Sequence, residues 1–189
     1  RESEERFRVL YEKAPIPYQS LNEDGYIIQA NQAWFDTLGY RPREVIGRWF
    51  GDLLPPEYQE IFREQFPRFK TVGSVLGTEF VMICRDGSEK IVSFNGTIGR
   101  DTAGGFMMTH CVFTDITERK RAEDRMQELV SLIEKSNEFI GLTSLEGHLE
   151  FVNEAGLRLL GLNSLEEARA LQRSQVIPDY SQARMEQEI

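Results

Sequence analysis

Two cysteines, Cys84 and Cys111, and two histidines, His110 and His148, have the widest chemical range in this 189-residue chain. Their placement argues against a metal centre, because the histidines are far apart and no Cys-x-x-Cys pair occurs. Both cysteines sit inside apolar, strand-like runs, where a buried thiol acts as a small hydrophobe. Hydrolytic or transfer chemistry needs a nucleophile beside a base, a glycine-rich phosphate loop or paired carboxylates, and none of these is legible. Enzymatic activity within these residues is therefore not expected. What remains is a joint, Asp115-Ile116-Thr117-Glu118, where short polar side chains stand at the start of a helical run. Asp115 or Thr117 can accept from free N–H groups of the first turn, and Asp115 with Glu118 has capping-box spacing.

The elements that position this joint read clearly. Upstream, Phe106 to Phe113 is apolar and β-favouring; downstream, Glu118 to Lys135 lacks Gly and Pro and is rich in helix formers. Earlier in the chain, Tyr18–Leu21 and Tyr26–Ala30 form a hairpin across Asn22-Glu23-Asp24-Gly25. Asn31 then caps a helix that stops at Gly39. Pro42 to Ile46 is a helical turn, and Glu57 to Lys70 is a helix that Pro67 should kink or shorten. Thr78–Arg85, Lys90–Gly99 and Gly105–Thr114 are three further strands. Strand, strand, short helices and three strands predict an α+β domain: a five-stranded antiparallel sheet with the helices on one face and helices flanking it.

Charge and hydropathy bound the function classes. With 22 basic and 31 acidic residues the net charge is −9, which disfavours nucleic-acid partners. No apolar run is long enough to span a bilayer and no signal-peptide pattern is present, so no membrane contact is expected from these residues. A cytoplasmic setting fits the cysteine usage. Starting at Arg1 rather than Met, the chain is expected to be a fragment of a longer protein.

The chain also repeats itself. At an offset of 122, Asp24-Gly25 falls on Glu146-Gly147, Asn31 on Asn153, Ala33 on Ala155, Leu38-Gly39 on Leu160-Gly161 and Glu44 on Glu166. Ile189 corresponds to Pro67, so the second copy holds the hairpin and helices without the last three strands. A lone hairpin is marginal, and this half-module is expected to be poorly ordered, to lean on a partner or to continue in the parent chain.

The residues Asp24-Gly25, Asn31, Leu38-Gly39-Tyr40, Glu44-Val45-Ile46-Gly47, Asp86-Gly87 and Asp115 to Lys120 resemble the PAS family of sensory modules, with its C-terminal motif. The organisation expected is an amphipathic helix over 1–13, a complete module over 14–117, a linker helix over 118–136 and the first half of a second module over 137–189. The resemblance implies a pocket between sheet and helices, and a signal that leaves through the sheet into the flanking helices. It suggests a bacterial-type sensor kinase, cyclic-dinucleotide enzyme or transcriptional regulator as the parent, with an effector domain elsewhere in the same chain. Pocket candidates are Asn31, Phe35, Trp49, Phe62, Phe66, Met82, Phe94 and His110, with Trp34 and Phe80 in the same aromatic set. Plain core packing is the alternative for the aromatics, a structural cap for Asn31, and a hydrogen-bonded core or surface residue for His110.

No cofactor is specifically indicated, although a small-molecule ligand is compatible with the pocket. A light-sensing flavin adduct would need a cysteine near Gly51 to Pro56, and haem usually takes a histidine from the long helix; neither residue is there. Asp115, Ile116, Thr117 and Glu118 are the expected signal-transmission residues. Ala122, Met126, Leu129 and Ile133 step as a coiled-coil seam, and Phe7, Leu10 and Tyr11 form a second apolar face. Both point to a parallel homodimer; packing on the chain's own domain is the alternative. A ligand-free dimerisation module is the competing function.

Overall fold

The computed structural model describes residues 11–146 and 148–170. Phe7 and Leu10, proposed above for a dimer face, lie outside the described residues. The chain divides into two compact units between Arg121 and Ala122.

The first unit is built on a five-stranded antiparallel sheet in the order β2-β1-β5-β4-β3. Its strands are β1 (Tyr18–Leu21), β2 (Ile27–Ala30), β3 (Ser74–Ile83), β4 (Glu89–Arg100) and β5 (Phe106–Asp115). Between β2 and β3 come α1 (Gln32–Leu38), α2 (Pro42–Val45), a 3-10 turn (Phe50–Leu53) and α3 (Pro56–Val72). The α+β class and five-strand sheet expected from the pattern are what the chain adopts.

Two boundaries differ from expectation for identifiable reasons. Strand β3 starts at Ser74 rather than Thr78, because Gly77 does not end the strand but forms a bulge in it. Its φ of +66° suits glycine, and the Asn95 side chain accepts its N–H at 2.8 Å. Helix α3 runs five residues past Pro67 to Val72. Proline removes one N–H and crowds one carbonyl, but the apolar stripe of Phe62, Phe66 and Phe69 on the core holds the helix across that defect.

Asn31 caps α1 as its type and position predict, accepting the Trp34 N–H at 3.1 Å, and Gly39 ends that helix with φ +77°. The same side chain does more. Its Oδ1 also accepts the Tyr18 N–H at 2.9 Å, while Nδ2 donates to the carbonyls of Ile16 at 2.9 Å and Tyr11 at 3.2 Å. One buried amide thus pins the first helix, the first strand and the residues before it. The core between sheet and helices holds Leu21, Trp34, Phe50, Phe62, Met82, Phe94 and Phe113.

Helix α4 (Thr117–Lys135) follows β5 directly. In the second unit, β6 (Gly141–Thr143) pairs with β7 (Leu149–Val152), followed by α5 (Glu154–Leu160) and α6 (Leu165–Arg169). The 122-residue offset holds at atomic detail. Gly141 pairs with Val152 and Leu142 with Phe151, as Gln19 pairs with Ala30 and Ser20 with Gln29, with a register shift at the same place. Asn153 accepts the N–H groups of Ile140 and Gly156 and donates to the carbonyls of Ile133 and Glu138, each partner 122 positions beyond its counterpart around Asn31. A small core of Leu149, Val152 and Ala168 closes this unit.

Candidate functional site

A cavity of about 520 Å³ lies in the first unit between α3 and the sheet, a size suited to a small organic molecule. Its walls come from Phe62, Phe66 and Phe69 on α3, Phe80 on β3 and Phe94 on β4, with Phe50 of the 3-10 turn. Phe62 and Phe66 stack at 5.1 Å, while Phe50 lies tilted 5.0 Å from Phe62 and edge to face 5.7 Å from Phe94, centroid to centroid. Gln65 and Arg68 stand at the exposed rim. Inside, β1 contributes Gln19 and Leu21, and β5 contributes Cys111.

Of the expected pocket residues, Phe62, Phe66 and Phe94 line this cavity, and so does Phe80; five others do not. His110 points to the opposite face of the sheet, since side chains alternate along β5 and its neighbours Thr109 and Cys111 are the inward ones. There its Nδ1 meets the Tyr18 hydroxyl at 2.6 Å, which also reaches Ser20 Oγ at 2.7 Å. Asn31 is consumed by its clamp and is a structural cap. Phe35 packs on Trp34, and Met82 is fully buried away from the cavity. Trp49 covers Gly51, where a Cβ would stand 2.1 Å from the indole ring, and carries the Arg63 guanidinium 4.9 Å above it.

Sequence reasoning missed Gln19, Phe50, Phe69 and Cys111. Alternation through the Tyr18–Leu21 strand would have turned Gln19 and Leu21 to one face together, but a buried glutamine has no composition signal of its own. Burial pushes the Cys111 thiol up to about 11 and raises that of Cys84 as well, so both are protonated at neutral pH.

The cavity strands lead into the joint. Asp115, the last residue of β5, accepts from the Thr117 N–H at 3.0 Å and from the Thr117 hydroxyl at 2.6 Å, and pairs with the Lys90 ammonium. Partial burial opposes its ionisation, yet the bonds from Lys90 and Thr117 outweigh that and hold the carboxyl below its usual range. Thr117 does not use its oxygen on its own helix: it accepts the Ile91 N–H of β4 at 2.9 Å, while Ile91 accepts the Ile116 N–H at 2.9 Å. The expected capping box is absent, because Glu118 faces outward with Arg121 at 3.5 Å. Further along, Lys120 pairs with Glu79 of β3 at 3.0 Å. The first turn of α4 is thus bonded to β3, β4 and β5. Among the expected dimer-helix residues, Ala122, Met126 and Leu129 are exposed, whereas Ile133 is half-buried and its carbonyl is held by Asn153.

A five-stranded sheet in the order 2-1-5-4-3, roofed by one long helix over an aromatic cavity and running straight into an exit helix, defines a small cavity-bearing α+β module. Residues 16–118 match the family model described as PAS domain, and the chain belongs to that family. It is 28% identical over 197 residues to a methyl sulfide methyltransferase-associated sensor of Methanosarcina acetivorans, covering 99% of this chain and 19% of that protein. It is also 28% identical over 153 residues to sporulation kinase C of Bacillus subtilis, covering 75% of this chain and 33% of the kinase. The chain therefore spans a third or less of these relatives. Among solved structures it resembles the PAS domain of an HTR-like protein from Haloarcula marismortui, with a TM-score of 0.54 and 26% identity over 61% of this chain and 93% of that one. An RNA-binding light-oxygen-voltage receptor shares the fold at a TM-score of 0.57 and 22% identity, over 68% of this chain and 37% of that one.

Proposed function

We propose that this chain is the sensory portion of a bacterial-type signalling protein, in which the state of the first-unit cavity is relayed into α4 and on to an effector elsewhere in the parent chain. The observation that carries this reading is the bonded path from cavity to helix. Phe94 on β4 and Cys111 on β5 line the cavity; β5 ends in Asp115, and Asp115, Thr117 and Ile91 lock the first turn of α4 to β4. A ligand that prefers one arrangement of these strands shifts the helix with them. The second unit, which repeats the hairpin and Asn clamp, is read as the beginning of a second PAS copy. On that reading α4 leaves one module and leads into the next.

Replacing Asp115 and Thr117 together by alanine tests the relay. Amide exchange at Ile91, Thr117 and Lys120 should rise about tenfold, the equivalent of one lost hydrogen bond of roughly 1.4 kcal/mol, with the fold of the first unit intact. In the full-length signalling protein the double variant should lose its response to stimulus, and an unchanged response would sink the relay.

The same reading includes a parallel homodimer through α4, supported by the exposure of Met126 (63%) and Leu129 (54%) on its seam. That exposure also favours the second reading, a ligand-free assembly module. Sedimentation equilibrium should give twice the 21.9 kDa chain mass; a strict monomer at high concentration would remove the dimer from both readings.

A further inference from the structure

Helix α3 has a weak point one turn before its end. Pro67 offers no N–H, so the ladder bond to the Arg63 carbonyl is missing, and the Thr71 hydroxyl donates back to the Pro67 carbonyl at 3.1 Å, a bond that tends to bend helices. Beyond Pro67 only residues 68–72 remain before Gly73 ends the helix with φ +91°. This last turn carries Phe69. Gly96 of β4 lies opposite Cys111 of β5, and a Cβ on Gly96 would stand 2.6 Å from the Cys111 sulfur and 3.2 Å from the tip of the Phe69 ring. The missing side chain at position 96 leaves the room that Phe69 fills, so this ring plugs the cavity wall over Cys111. Charged side chains fasten the plug from outside. Lys70 Nζ donates to the Glu23 carbonyl in the β1–β2 turn at 2.8 Å, and lies 5.3 Å and 5.9 Å from the ring centroids of Phe66 and Phe106. The Arg100 guanidinium donates to the Lys70 carbonyl at 3.2 Å and to the Gly104 carbonyl at 3.1 Å. The Ile98 N–H donates to the Gly73 carbonyl at 2.9 Å.

We propose that residues 68–73 form a strap that opens the cavity: the helix hinges at Pro67, Lys70 leaves the Glu23 carbonyl, and Phe69 withdraws from Gly96 to uncover Cys111. The hinge falls at Pro67 because the ladder is already broken there. Before it, Phe62 and Phe66 are buried and hold their part of α3 on the sheet; after it, Phe69 is only half-buried and is the least costly ring of the stripe to lift. What keeps the turn down is therefore a few polar bonds rather than apolar area, and such a segment opens locally without unfolding the unit. These bonds gather where β4 ends and β5 begins, at the end of β5 opposite Asp115. The strap is defined by the chain's own contacts, and it stands or falls independently of what the cavity holds and of the relay through Asp115.

The two cysteines of the chain make the test internal. Cys111 lies under the plug at 6% exposure, while Cys84, at 5%, sits just past the far end of β3 and away from the strap. Labelling of each thiol by methyl methanethiosulfonate is followed in the whole chain by peptide mass spectrometry. Lys70→Met keeps an apolar stem over Phe66 and Phe106 and removes the ammonium; Arg100→Met releases the Lys70 carbonyl instead. In Lys70→Met the Cys111 rate should rise about tenfold, the loss of one charge-assisted bond, with the Cys84 rate changed by less than about threefold. Arg100→Met should move Cys111 in the same direction. In the unsubstituted chain, one opening should release Cys111 together with the amides of Gly73 and Ile98, so their protection against exchange should match that of the thiol against the reagent within about threefold. That readout stands even if neither variant folds. An unchanged Cys111 rate in Lys70→Met, equal acceleration of both thiols, or amide protection far above that of the thiol would each overturn the strap.

Discussion

Replacing Phe50 by alanine is expected to destabilise the first unit by about 3–5 kcal/mol. The ring is 2% exposed and stands at the meeting point of the 3-10 turn, α3 and the sheet, within 5.0 to 6.3 Å of the rings of Phe62, Phe94 and Phe80. Truncation removes the buried area and merges the vacated space with the cavity already there, so neighbouring rings have little reason to close in. The measurement is unusually clean. Both tryptophans of the chain, Trp34 and Trp49, belong to the first unit, so their emission during urea titration reports that unit alone. With a urea m-value of about 1–3 kcal/mol/M, the midpoint should drop by more than about 1 M. A smaller shift would mean that Phe50 is a cavity wall without a structural role.

The second large effect is expected at Asn31. Alanine there removes the cap of α1 and strips partners from the Tyr18 N–H and the Ile16 carbonyl, which together should cost about 2–4 kcal/mol. Asn31→Asp separates the two halves of the clamp: the oxygen that accepts from Tyr18 and Trp34 survives, while the donor to Ile16 and Tyr11 is lost, so roughly half the effect should remain. The matching change Asn153→Ala should leave the tryptophan-detected transition where it was. Equal shifts from Asn31→Ala and Asn153→Ala would contradict the division of the chain into two units.

How much of this could be read from the residues follows a physical divide. Caps, turns and strands were legible because their causes are local: Asn31 before α1, Gly39 after it, and alternating or unbroken β-favouring runs for the sheet. The joint was found for the same reason, but only half understood. Thr117 looked like a cap because threonine at a helix start usually is one, and no local rule says that its hydroxyl will turn to Ile91, 26 residues back. The cavity was less legible still. Whether His110 or Cys111 faces inward depends on the phase of β5 against the helices, a tertiary fact. The phase of β1, which selects Gln19, is invisible for the same reason. Phe62, Phe66 and Phe94, which line the cavity, were legible as inward-facing because any large aromatic on an amphipathic stripe or a central strand tends to face the interior, and that argument also swept in Phe35 and Trp49, which are packed elsewhere.

The two asparagine clamps constrain the side chains around them very little. Each clamp addresses main-chain atoms only: the N–H groups of Tyr18 and Trp34 and the carbonyls of Ile16 and Tyr11 in one case, those of Ile140, Gly156, Glu138 and Ile133 in the other. Every residue but proline has both atoms, so a tyrosine can become an isoleucine and a tryptophan a glycine without a single clamp bond changing. The asparagine, by contrast, must offer an acceptor and a donor at one short reach, which aspartate and alanine cannot do. Two segments built this way can differ at almost every other position and still fold alike.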